Sequence, residues 1–248
     1  MIYATGDTHG NFQRFAPQHF PEQAGMTKED YMLICGDFGG VWDRGKKEER
    51  NLDWLEDLPF TTLFISGNHE NFDLLERYPI SGFAGGLVHR IRPRIYHLMR
   101  GQVFELEGRT IFTMGGASSH DIPDGILDPR DPDFAARRRL LDARGGHYRI
   151  RRVSWWPQEL PRPRELSLGM RNLQRQDWRV DYVITHCLPS AVQDVFSGGF
   201  YTHDRLTDYL ETVRRRCEFE RWYCGHYHHE RLYGGRYQVL YQSVLPMW

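Results

Sequence analysis

Five short apolar runs, each followed directly by glycine and polar residues, most strongly constrain the fold. They cover residues 2–5, 31–35, 61–65, 182–185 and 222–224. Runs of this length, rich in β-prone residues and bounded by turns, indicate buried strands. More polar stretches that are compatible with helices lie between them, at residues 11–20, 46–56, 71–78, 132–143, 163–176 and 204–217. This alternation predicts an α/β fold in which helices cover the faces of the sheets.

Two further segments have the pattern of antiparallel hairpins. β-prone residues flank Glu107 and Gly108 in one segment, and Gly234 and Gly235 in the other. Glycine at such a position favours a tight hairpin turn. The sequence therefore predicts a mixed-sheet sandwich rather than a purely parallel sheet.

The length of 248 residues suffices for one domain with a substantial core, so we expect a single domain over residues 1–248. Residues 117–165, rich in Pro, Arg and Trp, are expected to be an elaboration packed over one end of that core.

No apolar run approaches the roughly 18 residues of a membrane span. The first functional-looking residues, Asp7 and His9, leave no room for a leader before them, which favours a cytoplasmic protein.

The formal net charge of −1 hides an uneven distribution. Between Arg130 and Arg179 there are 13 Arg and no Lys against six acidic residues, a local balance of +7, so the remainder carries −8. Such a segment could attract an anionic substrate or could simply be a solvated helix face.

The four cysteines form no C-x-x-C pair and are expected to be reduced and structural.

The turns after the five apolar runs carry carboxylate, amide and imidazole groups. The candidate ligands are Asp7, His9, Asp37, Asn68, His186, His226 and His228. These groups suit Mn²⁺, Fe²⁺ or Zn²⁺, and we expect Mn²⁺ to support activity in vitro. Seven ligands are more than the four that one tetrahedral site can use. The sequence therefore predicts two divalent ions about 3.5–4 Å apart, bridged by one carboxylate and a solvent oxygen.

In this order, D-x-H, G-D, G-N-H-E, H and G-H-x-H resemble the five signature blocks of the calcineurin-like metallophosphoesterase superfamily. The resemblance implies a two-sheet β-sandwich flanked by helices, with four αββα layers. It also implies that Asp37 bridges two ions. The other ligands implied are Asp7, His9 and His228 for one ion, and Asn68, His186 and His226 for the other.

The resemblance further implies a mechanism in which a metal-bridging hydroxide attacks phosphorus in line while both ions neutralise charge on the phosphoryl oxygens. His69, which is not a ligand in this assignment, would act as the general acid for the leaving group. The alternative role of His69 is structural, as a hydrogen-bonded residue of the turn. GDTHG and GNHE are similar to the phosphoprotein phosphatase branch, whereas GHYH is shared with many phosphodiesterases and nucleases, so the substrate class stays open.

The second block departs from the family pattern, because Gly40 replaces its second charged residue and Asp43-Arg44-Gly45 follows three residues later. Our hypothesis is that Asp43 orients His69 and that Arg44 grips a substrate oxygen, since a guanidinium matches phosphate geometry. A solvated loop is the equal alternative.

GGASSHD, residues 115–121, and SWWPQE, residues 154–159, resemble segments of small bacterial and phage members of the superfamily. They are expected to lie near the metal centre. His120 and Asp121 would support the ligands or contact substrate, and Asn68 is expected to contact substrate as well as metal. Trp155 could form an aromatic wall for a ring of the substrate, although core packing is the favoured interpretation of two adjacent tryptophans.

The leading functional hypothesis is a metal-dependent phosphoester hydrolase, a phosphatase or a phosphodiesterase. Its expected substrate is a phosphorylated small molecule or phosphopeptide, with no membrane partner. A nuclease is the nearest alternative, because the Arg-rich segment could follow a phosphate backbone. A non-catalytic metal-binding scaffold is the alternative of another class, but none of the eight signature positions is missing.

Overall fold

The computed structural model describes residues 1–248. Its strands are β1 (Ile2–Thr5), β2 (Tyr31–Ile34), β3 (Thr61–Phe64), β4 (Ile80–Phe83), β5 (Gly86–Arg92), β6 (Ile95–Leu98), β7 (Gln102–Leu106), β8 (Arg109–Met114), β9 (Ile126–Leu127), β10 (Arg149–Ile150), β11 (Tyr182–Thr185), β12 (Arg221–Cys224), β13 (Arg231–Tyr233), β14 (Tyr237–Val239) and β15 (Leu245–Pro246). Its α-helices are α1 (Lys46–Asp57), α2 (Phe72–Leu75), α3 (Phe134–Ala143), α4 (Pro163–Arg175), α5 (Ser190–Ser197) and α6 (Arg205–Arg216).

Two large mixed sheets form the centre of the protein. The first has the strand order β15-β1-β2-β3-β6-β5-β4, with β1, β2, β3 and β6 parallel. The second has the order β13-β14-β12-β11-β8-β7, with β14, β12, β11 and β8 parallel. Both predicted hairpins are confirmed, since β7 pairs antiparallel with β8 and β13 with β14. Parallel strands bring their carboxyl ends to one edge, where the predicted ligands follow.

The sheets pack face to face between two layers of helices. Leu33 of β2 and Ile184 of β11 belong to one apolar cluster between the sheets. On the outer face of the first sheet, Phe64 packs in a cluster with Leu55 of α1, and on that of the second, Trp222 packs with residues of α4 and α6. Strands buried on both faces explain the continuous apolar runs. The predicted α/β fold, with two sheets flanked by helices, is confirmed.

The prediction of a helix over residues 11–20 is wrong. Only a 3-10 turn, Gln13–Phe15, forms there. Pro17 has no N–H to donate within a helix, and the side chains of Phe12, Phe15 and Phe20 are buried in the cluster outside the first sheet. Tertiary packing of the aromatic rings therefore determines this backbone. The sequence pattern also missed α5 and the strands β4 to β6.

Residues 117–165 contain the short parallel pair β9 and β10, the exposed helix α3 and a 3-10 turn at Pro157–Glu159. Side-chain contacts hold this segment against the rest of the chain. The indole Nε1 of Trp156 donates to Asp73 Oδ2 at 3.0 Å, and Arg100 Nη2 donates to the carbonyl of Gln158 at 2.8 Å. No helix combines the length and apolar character needed to cross a membrane.

Candidate metal centre

The turns that follow β1 and β2 are tied together by backbone hydrogen bonds. The N–H of His9 donates to the carbonyl of Asp37 at 2.8 Å, and the N–H of Gly10 donates to the carbonyl of Phe38 at 2.9 Å. The turn after β12 is joined to the turn after β11 in the same way, because Gly225 N–H donates to the His186 carbonyl at 3.1 Å. These bonds fix the backbone from which the candidate ligands project.

Four of the candidate ligands have left-handed backbone conformations, which are uncommon for residues other than glycine. The φ angles are 46° at His9, 46° at Asp37, 71° at His226 and 51° at His228. Such conformations are unfavourable by about 1–3 kcal/mol each and persist where the surrounding structure imposes them. Their concentration at these turns indicates a functional site.

One group of ligand atoms comprises Asp7, His9 and His228. His228 Nε2 lies 3.1 Å from Asp7 Oδ2 and 3.3 Å from His9 Nε2. A second group comprises Asp7, Asp37 and His186, all buried. His186 Nε2 lies 3.4 Å from Asp37 Oδ1 and 3.2 Å from Asn68 Oδ1. In each group the ligand atoms lie within 4.8 Å of one another.

The Asp37 carboxylate faces both groups. Its Oδ1 is near His186, while its Oδ2 lies 3.9 Å from His9 Nε2. Asp7, and not Asp37, is the residue common to both groups, although the resemblance assigns Asp7 to one ion only. The ring of His226 lies 5.0 Å from that of His186, so it is adjacent to the second group without belonging to it.

The residues fit divalent cations on two observations. Asp7 Oδ2 is buried and accepts no well-aligned hydrogen bond, although His228 Nε2 lies 3.1 Å from it. A cation would satisfy the buried charge of this carboxylate. A Cβ atom at Gly67 would lie 2.0 Å from Asp37 Oδ1, and one at Gly225 would lie 2.2 Å from Asp7 Oδ1. Glycine therefore lets backbone pass close to both carboxylates.

Hydrogen bonds orient these ligands. His186 Nδ1 lies 2.7 Å from the Cys35 carbonyl, which can only accept, so Nε2 is the nitrogen available to a metal ion. The backbone N–H groups of His69 and His226 donate to Asp37 Oδ1 at 2.8 Å and to Asp7 Oδ1 at 2.9 Å. Each carboxylate is thus held by the turn of another strand.

The electrostatics match a cation site. Burial alone would lower the pKa of His186, but the carboxylates of Asp37 and Asp7 raise it to about 9. Burial opposes ionisation of Asp37, yet His186 lowers the pKa of this carboxyl below its ordinary value. Burial lowers the pKa of His226, which keeps it neutral. The buried carboxylates of Asp37 and Asp7 therefore favour positive charge at this position.

The family model described as calcineurin-like phosphoesterase matches residues 1–230. The chain belongs to this family. The resemblance read from the five signature blocks is therefore confirmed over nearly the whole length. The calcineurin-like assignment also accounts for two sheets whose strand ends meet at one cluster of carboxylates and imidazoles.

Individual relatives are more distant. The chain is similar to lariat debranching enzyme A of Xenopus laevis, with 28% identity over 143 residues, which are 51% of this chain and 26% of that protein. It is similar to lariat debranching enzymes of Drosophila melanogaster, 28% over 148 residues, and Danio rerio, 26% over 150 residues. Those matches cover 50% and 53% of this chain and 25% of each relative. The alignments thus span about a quarter of the relatives.

His69 lies next to the paired groups of this calcineurin-like centre. Its ring is 5.5 Å from that of His9 and accepts or donates no side-chain hydrogen bond in the protein. Burial lowers the pKa of His69, the Asp37 carboxylate opposes this, and the guanidinium of Arg149 adds to the lowering. The imidazole is therefore partly desolvated and free to contact a substrate oxygen.

The structure does not provide the contacts that Asp43 and Arg44 need for their predicted roles. The Asp43 carboxylate accepts the Gly45 N–H at 2.6 Å and makes no hydrogen bond to His69. The guanidinium carbon of Arg44 lies 5.9 Å from the centre of the Tyr78 ring. Both side chains belong to an exposed loop. Their catalytic and substrate-binding roles stay predictions without support from this geometry.

His120 and Trp155 differ in their distance from the candidate ligands. The His120 ring lies 4.8 Å from that of His226, in an edge-to-face arrangement. Trp155 is half-buried, and the guanidinium carbon of Arg151 lies 5.9 Å from its ring. Trp156 is buried, which agrees with the expectation that one of the two tryptophans packs in the core.

Sequence reasoning missed a chain of hydrogen bonds that orients Asn68. The Asn68 amide nitrogen donates to Ser119 Oγ at 3.3 Å, and Ser119 Oγ donates to Glu159 Oε2 at 2.7 Å. This leaves Asn68 Oδ1 directed at His186. Ser119 and Glu159 lie in the two segments that are expected near the centre, but the sequence pattern favours His120 and Trp155 in them because imidazole and indole groups are more typical of binding sites.

We expect Ser119→Ala to weaken metal binding about 10- to 100-fold, since outer hydrogen-bond partners of ligands have effects of this size. Without Ser119 Oγ, the Asn68 amide is free to rotate. Titration calorimetry with Mn²⁺ would measure the affinity. Ser118→Ala is the matched control, because Ser118 Oγ donates to Asp204 instead. Equal affinities of the two variants would contradict the orienting role of Ser119.

Proposed function

We propose that this protein is a phosphoester hydrolase that uses two divalent metal ions. The observation that carries the proposal is the buried Asp37 carboxylate, one oxygen of which lies 3.4 Å from His186 Nε2 while the other lies 3.9 Å from His9 Nε2. Family membership supports the reaction class. Asp7, His9, Asp37 and His228 would hold one ion, and Asp37, Asn68, His186 and His226 would hold the other.

Two bound ions would supply positive charge to the phosphoryl oxygens and lower the pKa of an attacking water. The side chains around them have separate tasks. Buried Asp7 and Asp37 set the negative charge of the site. His69, whose ring has no partner within the protein, is placed to give a proton to the oxygen of the leaving group.

Arg149 is our candidate for the arginine that contacts a phosphoryl oxygen. It lies close enough to His69 to lower the pKa of that imidazole. Its Nη2 is paired with Asp121, but its Nε is buried without an acceptor. A guanidinium with an unused donor next to the general acid suits a phosphate group. We propose this contact in place of Arg44.

We expect Arg149→Ala to lower kcat/KM about 10- to 100-fold, which corresponds to the loss of one charge-assisted hydrogen bond of about 1.5–3 kcal/mol. Arg44→Ala serves as the matched arginine and should change kcat/KM less than about twofold. Steady-state kinetics with an aryl phosphodiester would measure both variants. The reverse order of effects would establish Arg44 as the phosphate contact.

A nuclease is the second candidate, and the lariat debranching enzymes that the chain resembles favour it. The Arg-rich segment supports a nuclease less strongly than its count of arginines suggests. Nine of the thirteen arginines between Arg130 and Arg179 form ion pairs, mostly with carboxylates outside this segment. A KM for single-stranded oligonucleotide that rises steeply with salt would support this candidate, since phosphate contacts release counterions.

The direct test of the proposed function is hydrolysis of an aryl phosphate and an aryl phosphodiester by protein loaded with Mn²⁺, Fe²⁺ or Zn²⁺. Activity should disappear with a chelator and return when the metal is restored. A preference for one substrate would decide between phosphatase and phosphodiesterase. The absence of hydrolysis with every metal would refute the proposal and favour a metal-binding scaffold.

A further inference from the structure

A cavity of about 320 Å³ opens beside the metal centre. Its walls come from the segment after β8 and the loop between α5 and α6, and they include the candidate ligand His226. They also include Ser119, which accepts the hydrogen bond of Asn68. A larger cavity of about 900 Å³ lies at the amino ends of β11 and β12 and has no candidate ligand in its walls. A group attached to the reacting phosphorus can therefore enter the smaller of these two, or a third cavity of about 460 Å³ that has the candidate ligand His9 in its wall. Only the cavity beside His226 is lined by the row of aromatic rings described next.

Aromatic rings form a row from the metal centre along this cavity. The ring of His120 lies 4.8 Å from that of His226 and 4.7 Å from that of Tyr201. The ring of Phe200 lies 5.1 Å from that of Tyr201. Phe200 is 79% exposed, the highest exposure among the large hydrophobic side chains. An aromatic ring that is open on one side offers a stacking surface for a planar group.

The remainder of the lining is mostly polar. Four of the thirteen lining residues are hydrophobic, and Thr202 contributes a hydroxyl group. Ser118 Oγ donates to the Asp204 carboxylate at the same wall. A planar ring with hydrogen-bonding edges suits such a lining better than a plain phenyl or phenol ring does. The volume is at the lower end of the range for ligand pockets, about 300–1,000 Å³.

We propose that this cavity binds the nucleobase of the phosphoester substrate, stacked against Phe200 and Tyr201. The proposal rests on the proposed function, because the cavity adjoins the phosphoryl site through His226. The shared chemistry is a nucleobase linked to phosphorus, whether in a free nucleotide or in an oligonucleotide.

The kinetic test compares two diesters that differ only in the nucleoside: thymidine 5′-(p-nitrophenyl phosphate) and methyl p-nitrophenyl phosphate. Manganese-loaded wild-type protein should prefer the thymidine ester about tenfold, and Phe200→Ala with Tyr201→Ala should abolish this preference. Phe200→Trp, which keeps an aromatic ring, should retain it. Leu140→Ala, which changes an exposed side chain on α3, is the control and should also retain it. An unchanged preference in the double variant would overturn the proposal.

A binding test keeps this inference separate from the proposed function. If wild-type protein hydrolysed neither diester, the hydrolase proposal would fail, and calorimetry with thymidine 5′-monophosphate would still test the cavity. The double variant should bind this nucleotide about tenfold more weakly than wild type. Equal affinity, no binding to wild type, or tighter binding of O-phosphotyrosine would overturn the proposal.

A five-residue oligothymidylate distinguishes the two sources of the nucleobase. If it binds more tightly than the mononucleotide and loses affinity in the double variant, the nucleobase belongs to a nucleic acid. If the two bind equally and both lose affinity, the cavity recognises a free nucleotide. Retention of affinity for both ligands in the double variant would overturn the proposal.

Discussion

Replacing Asp37 with asparagine should lower metal-dependent hydrolysis by about 10³-fold or more. The substitution preserves the shape of the side chain but removes the charge that faces both groups of ligand atoms. Metal ions contribute several kcal/mol of charge stabilisation in the transition state, and each 1.36 kcal/mol corresponds to about tenfold in rate. The loss should appear in kcat at saturating Mn²⁺.

The same variant should lose the thermal stabilisation that bound metal provides. Wild-type protein should melt at a higher temperature as Mn²⁺ is added, because an ion that binds only the folded state stabilises it. Asp37→Asn should show little such change. Asp53→Asn is the matched control, since Asp53 is an exposed carboxylate on α1 whose side chain is 70% exposed. If Asp37→Asn behaved like Asp53→Asn in both measurements, Asp37 would not hold the metals.

The second large effect is expected at His69. His69→Ala should lower kcat about 10²- to 10⁴-fold for a substrate with an alkyl leaving group, because loss of a general acid has effects of this size. A p-nitrophenyl ester should lose far less, since its leaving group departs without protonation. Metal affinity should stay unchanged, because His69 contributes only its backbone N–H to Asp37.

Comparing the loss of kcat in His69→Ala between the alkyl ester and the p-nitrophenyl ester distinguishes acid catalysis by His69 from a structural role. A structural defect at the turn after β3 would slow both substrates equally. His19→Ala, at an exposed histidine away from the centre, controls for nonspecific loss of an imidazole. Equal losses for the alkyl and p-nitrophenyl esters would rule out His69 as the general acid.

The sequence predicts the candidate metal ligands well where the end of a strand determines the position of the ligand. The predicted run at residues 182–185 coincides with β11, and His186 follows it directly. The ligands meet because their strands are parallel within each sheet and both sheets present these ends to one site. The short apolar runs in the sequence are sufficient to predict which residues follow these strand ends.

The remaining features depend on tertiary packing. Local propensity does not predict the left-handed backbone at Asp37 and His226, because the neighbouring turns impose it. The charge of Arg149 acts on the pKa of His69 only because residues 117–165 fold back over the strand ends, and Ser119 reaches Asn68 for the same reason. Arg44 is closer to His69 along the chain, but its side chain is exposed and its guanidinium carbon lies 5.9 Å from the centre of the Tyr78 ring.

Anomalous scattering from crystals saturated with Mn²⁺ tests the central claim most directly. The account predicts two peaks about 3.5–4 Å apart, with Asp37 between them. One peak is expected next to His9 and His228, and the other next to Asn68 and His186. A single peak, or no peak at these residues in fully loaded crystals, would contradict a two-metal centre.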